Sequence, residues 1–373
     1  MSLGLDIKVC TNPAKKMAVI IKINSRKEFK DSFVKTIKYM QLKKRYLALL
    51  LLLSQFSFSQ EGMAVYSDYL SDNYYLIHPS MAGAANCAKV RLTARQQWFD
   101  QSNSPMLQTL SFNTALGERS GVGVIAFNDR NGYHSQTGAK LTYAHHLRFS
   151  RGDYDLNQLS FGISAGVVQS RLDESEFLGS APDPGDPNIH GGMTQKDSYF
   201  NVDIGASYHY LDFYTHFTIK NAIENRRDLY TDMEPDNLRK YLLSAGYIFG
   251  DADRILWEPS IMFQYVDQTG EKTIDVNLKA YKNLDFGRVW GALSYRRSFD
   301  GAQFLNGNSV EEQYLQWITP VVGINYKDFM FAYSYSHLLG DVKFDNGGFH
   351  QITIGLNLFC KREKWDCNCP AVN

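Results

Sequence analysis

Proline and cysteine are scarce in this chain of 373 residues, at ten and five, and neither sign of charge is in excess. Lys plus Arg and Asp plus Glu number 39 each, so the net charge is zero and the basic surplus of a nucleic-acid binder is missing. A mean hydropathy of −0.33 excludes a bundle of many membrane-spanning helices. The most apolar run, Leu47 to Leu53, is far shorter than the roughly 20 residues a helix needs to cross a bilayer. Catalytic signatures are missing too. The sequence holds no HExxH, no glycine-rich phosphate loop and no Ser, His and Asp set at usable spacing. His145, His146, His209 and His216 read as polar residues of strands, so the expectation is a non-enzymatic protein without a cofactor or metal. At 44% hydrophobic and 21% charged residues, the chain is still too apolar to be disordered.

Aromatic residues and glycine are abundant: 23 Tyr, 23 Phe and 28 Gly, a composition that suits sheet. Near the N-terminus, Lys43-Lys44-Arg45, the Leu47–Leu53 run and small or polar residues to Gln60 follow in the order of a secretory signal peptide. Ser57 and Ser59 sit at the −3 and −1 positions of a cut before Gln60. Met40 reads as the start, with residues 1–39 an upstream artefact or extension, 40–59 the signal, and the mature chain beginning at Gln60. The cut has no Cys beside it, which argues against a lipoprotein.

Beyond Gln60 a period of two dominates. Phe200, Val202, Ile204, Ala206, Tyr208 and Tyr210 alternate with Asn201, Asp203, Gly205, Ser207 and His209, as in a strand between two different solvents. The same contrast recurs in 139–148, 159–167 and 351–358, and is poor in 119–129 and 314–327. Fourteen such segments are expected: 88–99, 105–116, 119–129, 135–149, 157–171, 197–210, 213–221, 238–250, 254–268, 272–285, 287–298, 314–327, 328–339 and 347–360. Their lengths mostly reach the roughly 9–11 residues of a tilted membrane strand. Links after the even-numbered segments are short. Those at 172–196, 222–237 and 299–313 are long. Short periplasmic turns opposite longer outer loops mark an outer-membrane barrel, so the expected fold is all-β: a transmembrane antiparallel barrel of about 14 strands over 88–360. A periplasmic N-terminal segment (60–87) and C-terminal tail (361–373) flank it.

In that barrel Arg91, Arg95 and Gln97 point into the lumen. Trp98, Phe99, Tyr210, Phe213, Tyr214, Phe249, Trp257, Tyr265, Trp290 and Tyr326 are girdle candidates against outer-membrane lipid. Asn128-Asp129-Arg130-Asn131-Gly132 reads as an outer turn. The acidic, proline-rich loop at 172–196 has no EF-hand spacing and reads as a rigid solvated loop rather than a calcium site. The first and last strands are neighbours, which places Cys87 beside Cys360; the expectation is a disulfide joining Cys87 to Cys360 or to the tail cysteines Cys367 and Cys369.

Several motifs resemble a known family. Tyr66-Ser67-Asp68-Tyr69 leads to Ile77-His78-Pro79-Ser80-Met81-Ala82-Gly83, then to Arg95-Gln96-Gln97-Trp98, Gly121-Val122-Gly123 and Asn128-Asp129-Arg130-Asn131-Gly132. This resembles the PorP/SprF outer-membrane proteins of Bacteroidota, with His78 in place of the usual Asn and Ser80 in place of the usual Ala. The resemblance implies a role in the type IX secretion system, supporting export or surface attachment of a large adhesin, often one used in gliding. Its partners would be that adhesin and periplasmic or outer-membrane secretion or motility components. Partner-contact candidates are Tyr66, Tyr69, Pro79, Arg95, Trp98, Asn128, Asp129 and Trp365. A passive porin or ligand-uptake channel is the alternative.

Overall fold

The computed structural model describes residues 70–97, 104–150, 155–173, 194–224, 238–306, 309–340 and 348–361. Its strands are β1 (Ala88–Gln97), β2 (Met106–Ala115), β3 (Ser120–Asn131), β4 (His134–Arg148), β5 (Asn157–Asp173), β6 (Thr194–Tyr210), β7 (Phe213–Lys220), β8 (Lys240–Tyr247), β9 (Phe249–Asp251), β10 (Ile255–Val266), β11 (Lys272–Leu284), β12 (Gly287–Asn306), β13 (Ser309–Tyr326), β14 (Phe329–Leu339) and β15 (Phe349–Leu358). β8 and β9 both pair with β10 and form one strand interrupted at Ile248, so the ring has 14 members. Sequential neighbours pair antiparallel around the sheet, and β15 returns to β1 with Ala88 opposite Leu358. Closure matters because hydrocarbon offers no hydrogen bonds, and only a ring leaves no edge of unpaired N–H and C=O groups.

The alternation decides which face is which. On β15, Ile352 and Ile354 face outward while Gln351 and Thr353 are buried inside. On β4, Leu141 is 71% exposed and its neighbours Lys140 and Thr142 are buried. Arg91, Arg95 and Gln97 on β1 are buried and Leu92 is exposed, the expected parity. The outside is therefore apolar and the inside polar, the inverse of a soluble core. No helix among the described residues is long and apolar enough to cross a membrane. Crossing is by strands.

The links sort by end. At one end β2–β3, β6–β7, β11–β12 and β13–β14 are joined by short turns. Leu211 (φ 51°) and Lys327 (φ 51°) adopt left-handed backbone in two of them, which lets the turn follow the twist of its strands. Exposed Tyr210, Phe213, Phe249, Trp257 and Tyr326 ring this end, joined by Tyr247, Phe286 and Phe329, which were not among the candidates. Trp98 and Phe99 lie outside the described residues.

Three expectations are corrected. Tyr214 and Trp290 are not girdle residues; both are buried on the inward face. Tyr265, by contrast, shares the outward parity of Ile261 and Phe263 at the opposite end, half-buried and stacked on Tyr241 with ring centroids 6.0 Å apart. The long loop at 299–313 is mostly ladder: β12 and β13 continue past a register shift between Arg297 and Gly301, pairing Leu305 with Val310. The turn at 128–132 is tighter, because β3 runs to Asn131 and only Gly132 (φ 61°) and Tyr133 form it. Strand pairing satisfies the Asn and Asp backbone there, and Asn128 stands opposite Thr137.

The seam between first and last strands carries a covalent bond. Cys87, just before β1, and Cys360, just after β15, form a disulfide with Cα atoms 4.1 Å apart. Cys367 and Cys369 lie outside the described residues, as do 1–69, which include the expected signal, Ser59 and Gln60. The tail beyond Lys361 does too.

Candidate functional site in the barrel lumen

Residues 60–87 are expected as a periplasmic segment flanking the barrel; of the described part, 70–87, the structure packs most inside the ring. Leu70, Tyr74, Tyr75, Ile77, His78, Ser80, Met81 and Ala82 are all buried. Local chemistry shapes the segment. A single helical turn, α1 (Tyr74–Ile77), stops at His78, whose extended backbone (φ −110°, ψ 103°) is what a residue before proline prefers. Pro79 then opens a 3-10 turn to Met81, where its missing N–H costs nothing.

Lumen glycines make room for this strap. β-carbons at Gly121 and Gly162 would collide with the backbones of Ala82 and Pro79, and one at Gly205 would stand 3.0 Å from the Pro79 ring. At Gly123 it would meet the Tyr75 hydroxyl at 2.5 Å. Gly83 (φ 65°) turns the strap back toward β1 against the Thr114 backbone, a conformation and an approach that only glycine tolerates.

Polar groups of the strap are satisfied by the wall. Gly83 N donates to Asn113 Oδ1 (3.1 Å), Tyr75 Oη to Thr142 Oγ1 (2.8 Å) and Lys220 Nζ to the Leu76 carbonyl (3.1 Å). His78 Nδ1 meets Thr218 Oγ1 at 2.8 Å and its Nε2 meets Ser244 Oγ at 3.3 Å. Ser80 and Ser207 join hydroxyls, and His146 Nε2 lies 3.1 Å from the Ala82 carbonyl. A polar interior makes this affordable, since a buried group left unpaired loses the hydrogen bond it had in water.

Two charged clusters hold the leading end. Lys279 Nζ donates to Asp72 Oδ1 at 2.5 Å, both side chains being buried, and the ammonium also lies 4.2 Å from the Trp290 ring centroid. Glu258 receives three tyrosine hydroxyls: Tyr74 (2.7 Å) and Tyr214 (2.5 Å) on Oε1, and Tyr281 (2.5 Å) on Oε2. One of these donors comes from the strap and two from the wall. Such charge-assisted bonds are stronger than neutral ones, and they offset the cost of a carboxylate out of water. An apolar patch completes the seat: Leu70, Tyr74, Tyr75, Ile77 and Met81 cluster with Ile125, Leu242, Ile248, Leu256, Met262, Val321 and Met330. Ile125 and Val321 are inward apolar residues of β3 and β13, and they are why those strands alternate poorly in polarity.

The candidates scatter over this frame. Pro79 is in the strap. Arg95 and Asp129 share the inward face, each paired across the ladder with Leu107, and the Arg95 guanidinium lies 4.3 Å from the Phe349 ring centroid. Asn128 accepts a hydrogen bond from Thr137 Oγ1 (3.1 Å). Tyr66, Tyr69, Trp98 and Trp365 lie outside the described residues, as does most of the loop once weighed for calcium; the described residues hold no metal-binding group of three or more ligand residues. Sequence reasoning missed Asp72, Tyr74, Glu258, Lys279 and Tyr281. The available signal was Gly121, Gly162 and Gly205 on polar faces of strands, small where a lumen wall has no need to be.

A closed ring with an apolar outside, a polar inside and its own N-terminal segment in the lumen defines a membrane β-barrel. The chain belongs to the PorP/SprF family: the family model described as "Type IX secretion system membrane protein PorP/SprF" matches residues 58–356. No curated protein matches the chain. Among solved structures it is similar to the Pseudomonas putida toluene transporter TodX, at 11% identity, 76% of this chain, 92% of that one and a TM-score of 0.43. The CymD monoaromatic hydrocarbon channel gives 13%, 76%, 90% and 0.43. CdiB from Acinetobacter baumannii gives 10%, 72%, 60% and 0.36, so the chain spans about 60% of that protein's length.

Proposed function

We propose that this barrel sits in the outer membrane with its short turns toward the periplasm and acts, without catalysis, in the export or surface attachment of a large adhesin by the type IX system, in the service of gliding. Membership of the family carries the reading, and the strap supports it against a permanently open porin, because Leu70–Gly83 is buried inside the ring. β1 starts and β15 ends on the short-turn side, where Lys361 N donates to the Asn86 carbonyl (3.2 Å). Contacts with periplasmic secretion or motility components therefore fall to Tyr66, Tyr69 and Trp365. The Met40–Ser59 leader delivers the chain, and N-terminal sequencing of the mature protein would begin at Gln60.

Deleting the gene and comparing the surface proteome tests the reading. Loss of one large surface protein and of gliding, restored by the intact gene, is the expected outcome. An unchanged surface proteome with impaired uptake of a small solute would replace the reading with the channel.

A further inference from the structure

We propose that Leu70–Gly83 is a removable stopper, a strap that withdraws on the short-turn side while the ring stays shut and so opens a polar passage for small hydrophilic solutes. The inference does not rest on the adhesin reading. Its first ground is that ring and strap are separable. Every strand ladder runs from wall to wall, and the strap takes part in none of them. Its hold on the wall is through side chains, or through single backbone groups bonded to side chains.

The second ground is the seat. Asn113, Thr142, Ser207, Thr218 and Ser244 bond the strap, and all of them can bond water in its absence. The glycines facing Pro79 and Ala82 leave a groove once the strap has gone, and the wall needs no rearrangement to keep it. The third ground is the placing of the fastenings. Asp72–Lys279 and Tyr74–Glu258 clamp the leading end, whereas the root at Cys87 is bonded to Cys360 at the seam. The leading end can therefore come out while the root stays tethered, and the buried apolar side chains return it to its seat at rest.

Planar-bilayer recording of the full chain tests this. Native protein should be closed with rare openings. Lys279→Met should open it more than about tenfold more often, because an unpaired Asp72 destabilises the seated strap. Ser80→Cys with Ser207→Cys, oxidised, should silence it, since those two hydroxyls touch. Lys279→Met as silent as the native protein, or current that survives the cross-link, would overturn the proposal. Should Lys279→Met fail to assemble, Ser80→Cys alone decides. Position 80 is fully buried, so slow labelling of the folded barrel by a water-soluble maleimide supports withdrawal, and no labelling over hours overturns it.

Discussion

Toward the short turns, inward glycines and apolar residues leave a seat among Asn113, His146, Glu258 and Lys279, and residues 70–83 occupy it. Toward the long loops the wall bonds to itself. Lys140 Nζ donates to Asp203 at 2.7 Å, Arg296 grips both oxygens of Asp275 at 2.5 and 2.6 Å, and Thr319 Oγ1 donates to Ser336 at 2.9 Å. The two halves bond their buried charged groups to different partners. In one half the partner is a segment outside the ladder; in the other it is a strand of the ring, adjacent for Arg296 and Thr319 and one strand further on for Lys140. Side chains carried by the ladder cannot leave without unfolding it, and a strap can.

The largest test of that difference breaks one ion pair in each half. Lys279→Met and Arg296→Met should each cost about 3–5 kcal/mol in urea unfolding from lipid vesicles, because each strands a buried carboxylate. Only Lys279→Met should speed maleimide labelling at a Ser80→Cys reporter; equal speeding by both would erase the distinction between the halves. Next in size, Leu141→Arg puts a charge on the outward face and should cost about 2–4 kcal/mol at the bilayer midplane. The same unfolding assay in detergent should show much less, since the effect belongs to the lipid. A null result in vesicles would deny that this face meets hydrocarbon. Smallest is the glycine contrast. Gly162→Ala should cost about 1–3 kcal/mol by overpacking, because the new methyl meets the Pro79 backbone. Gly291→Ala, whose methyl would find its nearest atom at an ordinary 3.6 Å, should be close to neutral. Equal costs would mean that the strap does not occupy its seat.

Much of this was legible from residues alone, and what was missed has a physical cause. The 14 segments, the parity of Arg91, Arg95 and Gln97, and the short-turn end follow from local rules: a strand between oil and water writes its period into the sequence. Tyr214 and Trp290 were misplaced because an aromatic near a strand end suits a membrane interface and a packed lumen equally well. The hairpin of β12 and β13 was read as loop because Gly301 and the charged Glu311 and Glu312 break the apolar rhythm that marks a membrane strand. Outside the bilayer a ladder needs no such rhythm.

By itself the order of residues determined the ring, its faces and its number of strands, because each strand reports its own two solvents. Only tertiary structure decided where Leu70–Gly83 goes. That segment has no period, and its mixture of Asp, Tyr, Ile, His and Pro suits neither water nor lipid as a whole. Its seat exists only after strands far apart in the chain come together: Thr218 stands 140 positions from His78, and Lys279 207 positions from Asp72. No local pattern can announce a partner that closure of the ring has yet to assemble.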